Sequence, residues 1–281
     1  MNSRLIYIHT MSSMHAGTGA STGAIDLAIA RERATGIPYL PGSSLKGALR
    51  DRARQVIDAE DTIHHLFGPP TDRASDHAGA LSFGDARLVL MPVRSFAGTF
   101  AYVTSPYVLQ RLAGDLAATG NPVDWQVPSL SDVDDCLVAA NTVLKVKDQV
   151  VFEDLVLKPR EDASLTSIAQ TLRASVSDQD RAPRLCVVHD DVMSFLMAHC
   201  TEVTTRIRLE SETKTVAQGA LWTEECIPSE ALLVSLAVAN PPKFTGLDAQ
   251  QVFDGLGPCL EGVVQLGGKS TVGKGMCRLR M

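Results

Sequence analysis

The sequence predicts an α+β fold in a single domain, and three observations carry that reading. Strand–helix–strand signals stand at both ends of the 281-residue chain, further strands and helices are interspersed between them, and no Pro/Gly/Ser-rich linker divides the halves. A ferredoxin-like βαββαβ core, assembled from both termini and enlarged by insertions, satisfies all three.

Taken in order, Arg4–His9 alternates apolar and polar residues and reads as a strand, and the Gly17, Gly19 and Gly23 stretch follows as a loop. Ser43 or Ser44 is placed to cap a helix from about Leu45 to Ile57, with Leu45, Ala48, Leu49, Ala53 and Val56 as its buried stripe. Strands are expected at Ala80–Pro92 and Thr99–Thr104, and Pro106 opens a helix through about Ala118. Gly120–Asp135 carries loop signals, Leu144–Leu157 is strand-rich, and Ser164–Val176 and Asp190–Cys200 have helical spacing. Thr201–Leu209 and Thr215–Trp222 alternate about the turn Glu210–Lys214, a hairpin pattern. Ala231–Ala239 reads as a strand, Asp248 caps a helix to Leu256, Cys259–Leu266 reads as a strand, and Met276–Met281 closes the chain as another. The two termini then pair in one sheet, which puts the glycine loop near residue 17 and the loop GGKSTVGKG on one composite domain.

Hydrophobic residues make up 45% of the chain, ample for a core, and no apolar run reaches the roughly 18 residues of a membrane span. The N-terminus MNSRLIYIHT lacks the tripartite pattern of a secretory leader. The six cysteines are scattered without a CxxC, which reads as reduced core residues of a cytoplasmic protein. Net charge is −6, yet residues 31–54 total +4 and residues 266–281 another +4, leaving −14 on residues 55–265. Two positive ends on an acidic body predict a local polyanion groove rather than a generally basic surface.

The chemistry concentrates between His15 and Arg50, which joins a glycine-rich loop, the carboxylate of Asp26, a PGSS turn and a basic helix. Backbone N–H groups in glycine loops and at helix N-termini bind anions, and basic side chains add charge. This makes Gly17, Gly19, Ser43, Ser44, Lys46, Arg50 and Arg54 candidate contacts to a phosphate backbone. The second glycine loop adds Gly268, Lys269, Gly273 and Lys274. Gly47, in the second turn of the helix, costs roughly 1 kcal/mol against alanine, which points to a close approach there. A carboxylate beside such groups repels phosphate unless a cation lies between, so Asp26 reads as a metal ligand or acid–base group. With a usual pKa near 3.9 it is a poor base toward an RNA hydroxyl, and metal coordination suits it better.

His15 could orient a phosphate, transfer a proton, or simply hold its loop. Glu224 and Glu225 could supply a second acid, with an exposed pair as the plainer reading. His64, His65, His77 and Asp76 fit no zinc-ligand spacing. GGKSTVGKG misses the P-loop register, since Gly273-Lys274 is followed by Gly275 and then a strand. Aromatic residues are 5% of the chain and form no base-stacking strand pattern, so backbone contact without sequence preference is what the residues support.

The run IDLAIARERATGIPYLPGSSLKGALRDRAR resembles the signature of the RAMP superfamily of CRISPR-associated proteins. With SFGDARLVLMPVRSFAGTFAYVTSPYVLQRL, TEVTTRIRLESETKTVAQGALWTEECIP and QLGGKSTVGKGMCR, it resembles more narrowly the fourth, backbone subunit of Cmr complexes, the type III-B effectors. It departs from the usual pattern at Ala28 and Ala30, where the family reads proline and glutamine.

The resemblance implies an RRM-like palm, a helical insertion and a β-hairpin thumb, here the hairpin 201–225, with insertions at about 60–80 and 105–200. It implies copies of the chain stacked head-to-tail on guide RNA (crRNA) beside other Cmr-type subunits, with complementary target RNA cut at regular intervals. It places the family's aspartate on Asp26 and its helix lysine on Lys46. The expected cofactor is Mg2+ or Mn2+, and the expected reaction is attack by the target's own 2′-hydroxyl. A non-catalytic RNA-binding scaffold is the alternative.

Overall fold

The computed structural model describes residues 2–19, 23–73, 75–176, 181–242 and 245–281. In chain order the strands and helices are β1 (Ser3–Thr10), β2 (Tyr39–Leu40), α1 (Gly42–Val56), α2 (Glu60–Phe67), β3 (Leu81–Phe83), β4 (Ala86–Arg94), β5 (Phe100–Thr104) and α3 (Pro106–Ala118). There follow β6 (Asp135–Val138), β7 (Lys145–Val146), β8 (Gln149–Phe152), β9 (Leu155–Glu161), α4 (Ser164–Val176), β10 (Leu185–Val188) and α5 (Asp190–His199). The last are β11 (Glu202–Leu209), β12 (Val216–Cys226), β13 (Leu232–Ala239), α6 (Ala249–Leu260), β14 (Val264–Gln265) and β15 (Met276–Arg280).

Thirteen strands form one mixed sheet, and β11 and β12 stand apart as a two-stranded hairpin. Toward one edge, next to β14, the strands β15, β1, β13 and β4 are neighbours in that order, each pair antiparallel. Leu5 and Ile6 point to opposite faces of β1 and both are buried, so the sheet is covered on both sides there. Helices α1 and α6 pack on one another, α6 contacts β13 and β15, and α3 and α4 contact β1. The first and last strands pair as the sequence predicts, Tyr7 facing Arg280 and Thr10 facing Cys277.

Helix α1 departs from the expected start. It begins at Gly42 behind Pro41, and among the described residues no side chain caps it at the N-cap position. Asp85 takes the first N–H instead, accepting from Gly42 N at 2.8 Å. Ser43 and Ser44 therefore lie exposed in the first turn rather than at the cap. Gly42, not Gly47, is the glycine a neighbour requires, since a Cβ on Gly42 would lie 2.3 Å from the Phe83 carbonyl oxygen. Nothing among the described residues lies within 4 Å of a Cβ placed on Gly47. Leu45, Leu49 and Ala53 are buried as predicted, but Val56 at the helix end is not.

Cys259–Leu266 also differs from its expected strand. Helix α6, capped by Asp248 in a full capping box, runs through Pro258 to Leu260, and the strand is reduced to Val264–Gln265. Val252, Phe253, Leu256, Cys259 and Leu260 form a continuous helical stripe of buried residues. That burial outweighs the Gly257-Pro258 breaker signal, which costs less near a helix end.

Candidate functional site

The site is assembled where the two glycine loops meet the hairpin. His15 and Gly268 form an antiparallel bridge, with Gly268 N–H donating to the His15 carbonyl at 2.9 Å. Gly267 makes this possible, with φ +75° and no room for a Cβ, which would lie only 2.5 Å from that carbonyl oxygen. On its other side the first loop continues through Asp26–Leu27, which runs parallel to β12. Leu27 N–H donates to Thr223 O at 3.0 Å, and Glu225 N–H donates to Leu27 O at 2.9 Å.

Asp26 is exposed but held. Its Oδ2 accepts from Thr223 N at 2.8 Å and Thr223 Oγ1 at 2.9 Å, while its own N–H donates to Thr223 Oγ1 at 3.0 Å. The Thr223 backbone N–H, then its hydroxyl, hold the Asp26 carboxyl below its ordinary pKa. A carboxylate so stabilised is a weaker base still, and a ready cation ligand. Both bonds from Thr223 fall on Oδ2.

Glu224 and Glu225 correct the expectation of an exposed pair, since each is 3% exposed. Glu225 accepts from Arg31 Nη2 at 2.6 Å, Thr201 Oγ1 at 2.8 Å and Ile29 N at 3.1 Å. Glu224 on the opposite face meets Lys269 Nζ and Trp222 Nε1, both at 2.8 Å, and Arg206 Nε at 3.4 Å. Burial pushes the Glu224 carboxyl up, but Lys269, Trp222 and Arg206 outweigh it and hold it below its usual value. The pair fastens the loops to the hairpin and is committed to that work.

His15 is 8% exposed, and its Nδ1–H donates to the Glu225 carbonyl at 2.7 Å. A Cβ on Gly17 would lie 2.5 Å from its Nε2, so the ring is closed in by its own loop. This geometry suits holding the loop better than proton transfer.

A cleft of about 760 Å³ opens beside these loops. His15, Gly17, Gly19 and Leu27 wall one side, Gly268, Lys269 and Ser270 another, and Ser44, Ala48, Asp51, Arg52 and Gln55 of α1 a third. Asp26 stands one residue from this wall. The structure thus brings together Gly17, Gly19, Ser44, Gly268 and Lys269 of the expected phosphate contacts. Ser43 is exposed on α1 next to Ser44, and Gly273 turns the second loop with φ +80°.

It separates Lys46, Arg50 and Arg54 from them. These lie four apart on another face of α1, where Arg50 and Arg54 line a smaller groove of about 310 Å³ with His64 and Pro70. Arg50 donates to the Pro69 carbonyl at 2.9 Å and Arg54 pairs with Asp51. Lys46 is half-buried, and burial together with the Arg50 charge lowers its pKa. Lys274 contacts Ser13 and Glu202. Arg52, which lines the cleft, and Thr223 were not singled out from sequence. Arg52 looks like any helix arginine until the helix is placed, and Thr223 like any strand threonine.

A family profile described as the RAMP superfamily matches residues 7–278. The chain is 35% identical over 289 residues to the CRISPR system Cmr endoribonuclease Cmr4 of Pyrococcus furiosus, covering 100% of this chain and 96% of that protein. The chain belongs to the RAMP superfamily, and within it to the Cmr4 family. A second Cmr4 relative, the CRISPR system CMR subunit of Saccharolobus solfataricus, is 25% identical over 98% of this chain and 94% of that protein. The crystal structure of oligomeric Cmr4 from Pyrococcus furiosus superposes with a TM-score of 0.77, at 28% identity, over 99% of this chain and 97% of that one. In this RAMP protein, then, the mixed α+β architecture with its large sheet and six described α-helices is the family's, and the glycine-loop aspartate stands clamped on the hairpin.

Proposed function

We propose that this chain is the guide-RNA-binding, filament-forming backbone subunit of a type III-B CRISPR effector, and that Asp26 supports divalent-metal-dependent cleavage of target RNA at regular intervals. The observation that carries the reading is Asp26 itself: an exposed carboxylate, its Oδ2 fixed by Thr223, next in sequence to Leu27, which lines a cleft walled by two glycine loops. The name of the Pyrococcus furiosus relative, a Cmr endoribonuclease, supports it at full length, and the oligomeric state named for the solved relative supports assembly of further copies.

The finer architecture follows the same reading. The order β15-β1-β13-β4, all antiparallel, is that of a split βαββαβ core with its fourth strand beside its first, which supports a ferredoxin-like, RRM-like palm built from both termini of one domain. Segments 60–80 and 105–200 are its insertions, and the separate hairpin β11–β12 is its thumb. On the hairpin face that carries Thr223, the next cross-strand pair outward is Ile207 with Leu221, 51% and 64% exposed. An apolar pair beside a clamped carboxylate is suited to hold a nucleotide out of a guide–target duplex, so the thumb and Asp26 act at one step of the duplex.

No group of three or more His, Cys, Asp or Glu side chains among the described residues is placed to hold a metal ion. The donor set fits a hydrated Mg2+ or Mn2+ held by Asp26 and substrate phosphate, as hard cations that keep most of their waters are held. Bound there, such a cation neutralises phosphate charge and favours ionisation of the attacking 2′-hydroxyl. The chain's own part is positional: Thr223 orients Asp26, Glu225 locks the loop, and Arg52 holds phosphate in the cleft. Attack by the target's 2′-hydroxyl leaves a 2′,3′-cyclic phosphate and a 5′-hydroxyl. Sequence choice rests with guide–target pairing. The partners are crRNA, complementary target RNA, further copies of the chain and other Cmr-type subunits; no described helix is long and apolar enough to cross a membrane.

The test is target cleavage by the reconstituted complex, with wild-type and Asp26→Asn protein, in Mg2+ or Mn2+ and in EDTA. Periodic cuts lost with either the substitution or the chelator are expected, with RNA binding retained. Unchanged cuts by the variant would make the chain a scaffold.

A further inference from the structure

Asp26 and Thr223 are 197 residues apart and share three hydrogen bonds, two of them on one carboxylate oxygen. Asp26 sits on a loop, whereas Thr223 sits in the middle of a hairpin strand, paired across to Thr205. The two backbone bonds of the next residue, Leu27 N to Thr223 O and Glu225 N to Leu27 O, fix the loop's course without fixing the rotation of the Asp26 side chain. Two donors of Thr223 hold that rotation: its backbone N–H and its hydroxyl both reach Oδ2, and the hydroxyl, which also accepts from Asp26 N–H, adds the second hold that depends on the side chain.

We infer that Thr223 is the positioning residue for cleavage: its hydroxyl, added to its backbone N–H, locks the Asp26 carboxylate in one orientation on the hairpin. The inference rests on the cleavage reading above. A short polar clamp of this kind contributes to rate without touching the substrate, and loss of such an outer partner typically costs about 10–100-fold in activity. It also ties the carboxylate to the element whose exposed pair Ile207–Leu221 stands next along the same face. A duplex that displaces the hairpin leg moves Asp26 with it.

The substitutions that test this order oppositely for a positioning role and a structural one. Valine matches threonine in shape and strand preference but lacks the hydroxyl; serine keeps the hydroxyl but is the poorer strand former. In the reconstituted complex at saturating divalent cation, Thr223→Val is expected to cut target RNA roughly 10–100-fold more slowly. RNA binding and assembly are expected to match wild type, and Thr223→Ser to cut within a few-fold of it. If valine cuts like wild type, or serine is the worse variant, residue 223 is a strand position and the inference is overturned. Joint loss of assembly in both variants overturns it too. Asp26→Asn run beside them separates the two levels: if it cuts normally the cleavage reading itself fails, and if it is inactive while Thr223→Val is normal, the inference alone fails.

Discussion

Glu225 on the hairpin accepts a 2.6 Å hydrogen bond from Arg31 Nη2, 194 residues earlier in the chain, at the inner end of the loop that carries Asp26. The same carboxylate also receives Ile29 N and Thr201 Oγ1. Glu225→Ala strips three donors of their acceptor, two of them backbone or charged, in a buried site. A loss of about 2–4 kcal/mol is expected from an uncompensated buried network, with a smaller loss in Glu225→Gln. Thermal and urea unfolding of the purified chain measure it, and an unchanged midpoint in the alanine variant would show that Arg31 and Ile29 do not depend on this acceptor.

Two glycines are expected to respond in opposite directions. At Gly267 both φ +75° and the His15 carbonyl at 2.5 Å forbid a Cβ, so Gly267→Ala should destabilise by more than about 1 kcal/mol and part the two glycine loops. At Gly47 the backbone is helical and the space open, so Gly47→Ala should stabilise the free chain by about 0.5–1 kcal/mol. If RNA runs against α1 at that point, the same methyl weakens RNA binding. Unfolding midpoints and RNA titration of one protein preparation read both effects.

Arg52 lines the cleft and Arg54 does not. Arg52→Ala is expected to weaken RNA binding equally across sequences and to reduce the slope of log K against log salt by about 0.7–1, the value of one phosphate contact. Arg54→Ala, which removes an exposed pair with Asp51, should leave the slope closer to wild type. The reverse order would place the RNA on the Lys46–Arg50–Arg54 face, as the charge spacing of α1 alone implies.

Glu230 makes stability depend on acid. A hydrogen bond from His9 Nε2 at 3.1 Å, helped by Tyr102 and opposed by burial, holds its carboxyl below the ordinary value of 4.5. A carboxyl with a depressed folded pKa stabilises the fold above its unfolded value and loses that contribution as pH falls through the folded one. Urea midpoints should therefore fall as pH drops below about 4.5, less steeply in Glu230→Gln. Parallel pH profiles for the two proteins would remove Glu230 from the account.

Much of the frame was legible in the residues. The termini pair, and α3, α4 and the hairpin stand where periodicity and breakers put them. Misplacements came where a local signal competed with burial over a longer range. Pro258 and Gly257 mark a stop, but the apolar stripe on α6 extends past them; Ser43 and Ser44 mark a cap, but Asp85, between β3 and β4, supplies it. Glu224 and Glu225 read as exposed because acids usually are, and their partners Lys269, Arg206, Arg31 and Thr201 lie between 18 and 194 residues away in sequence, where no spacing rule reaches.

From the sequence alone came the class of fold, the family and the one carboxylate set beside a glycine loop, because each is written in short-range patterns of glycine, charge and apolar period. Which basic residues face the cleft, which acids are structural, and what aims Asp26 were decided by tertiary structure. Those depend on how a helix is rotated about its axis and on contacts between segments nearly two hundred residues apart, such as Asp26 with Thr223. Rotation and long-range contact are set by packing of the whole core, so they exist only once the chain is folded.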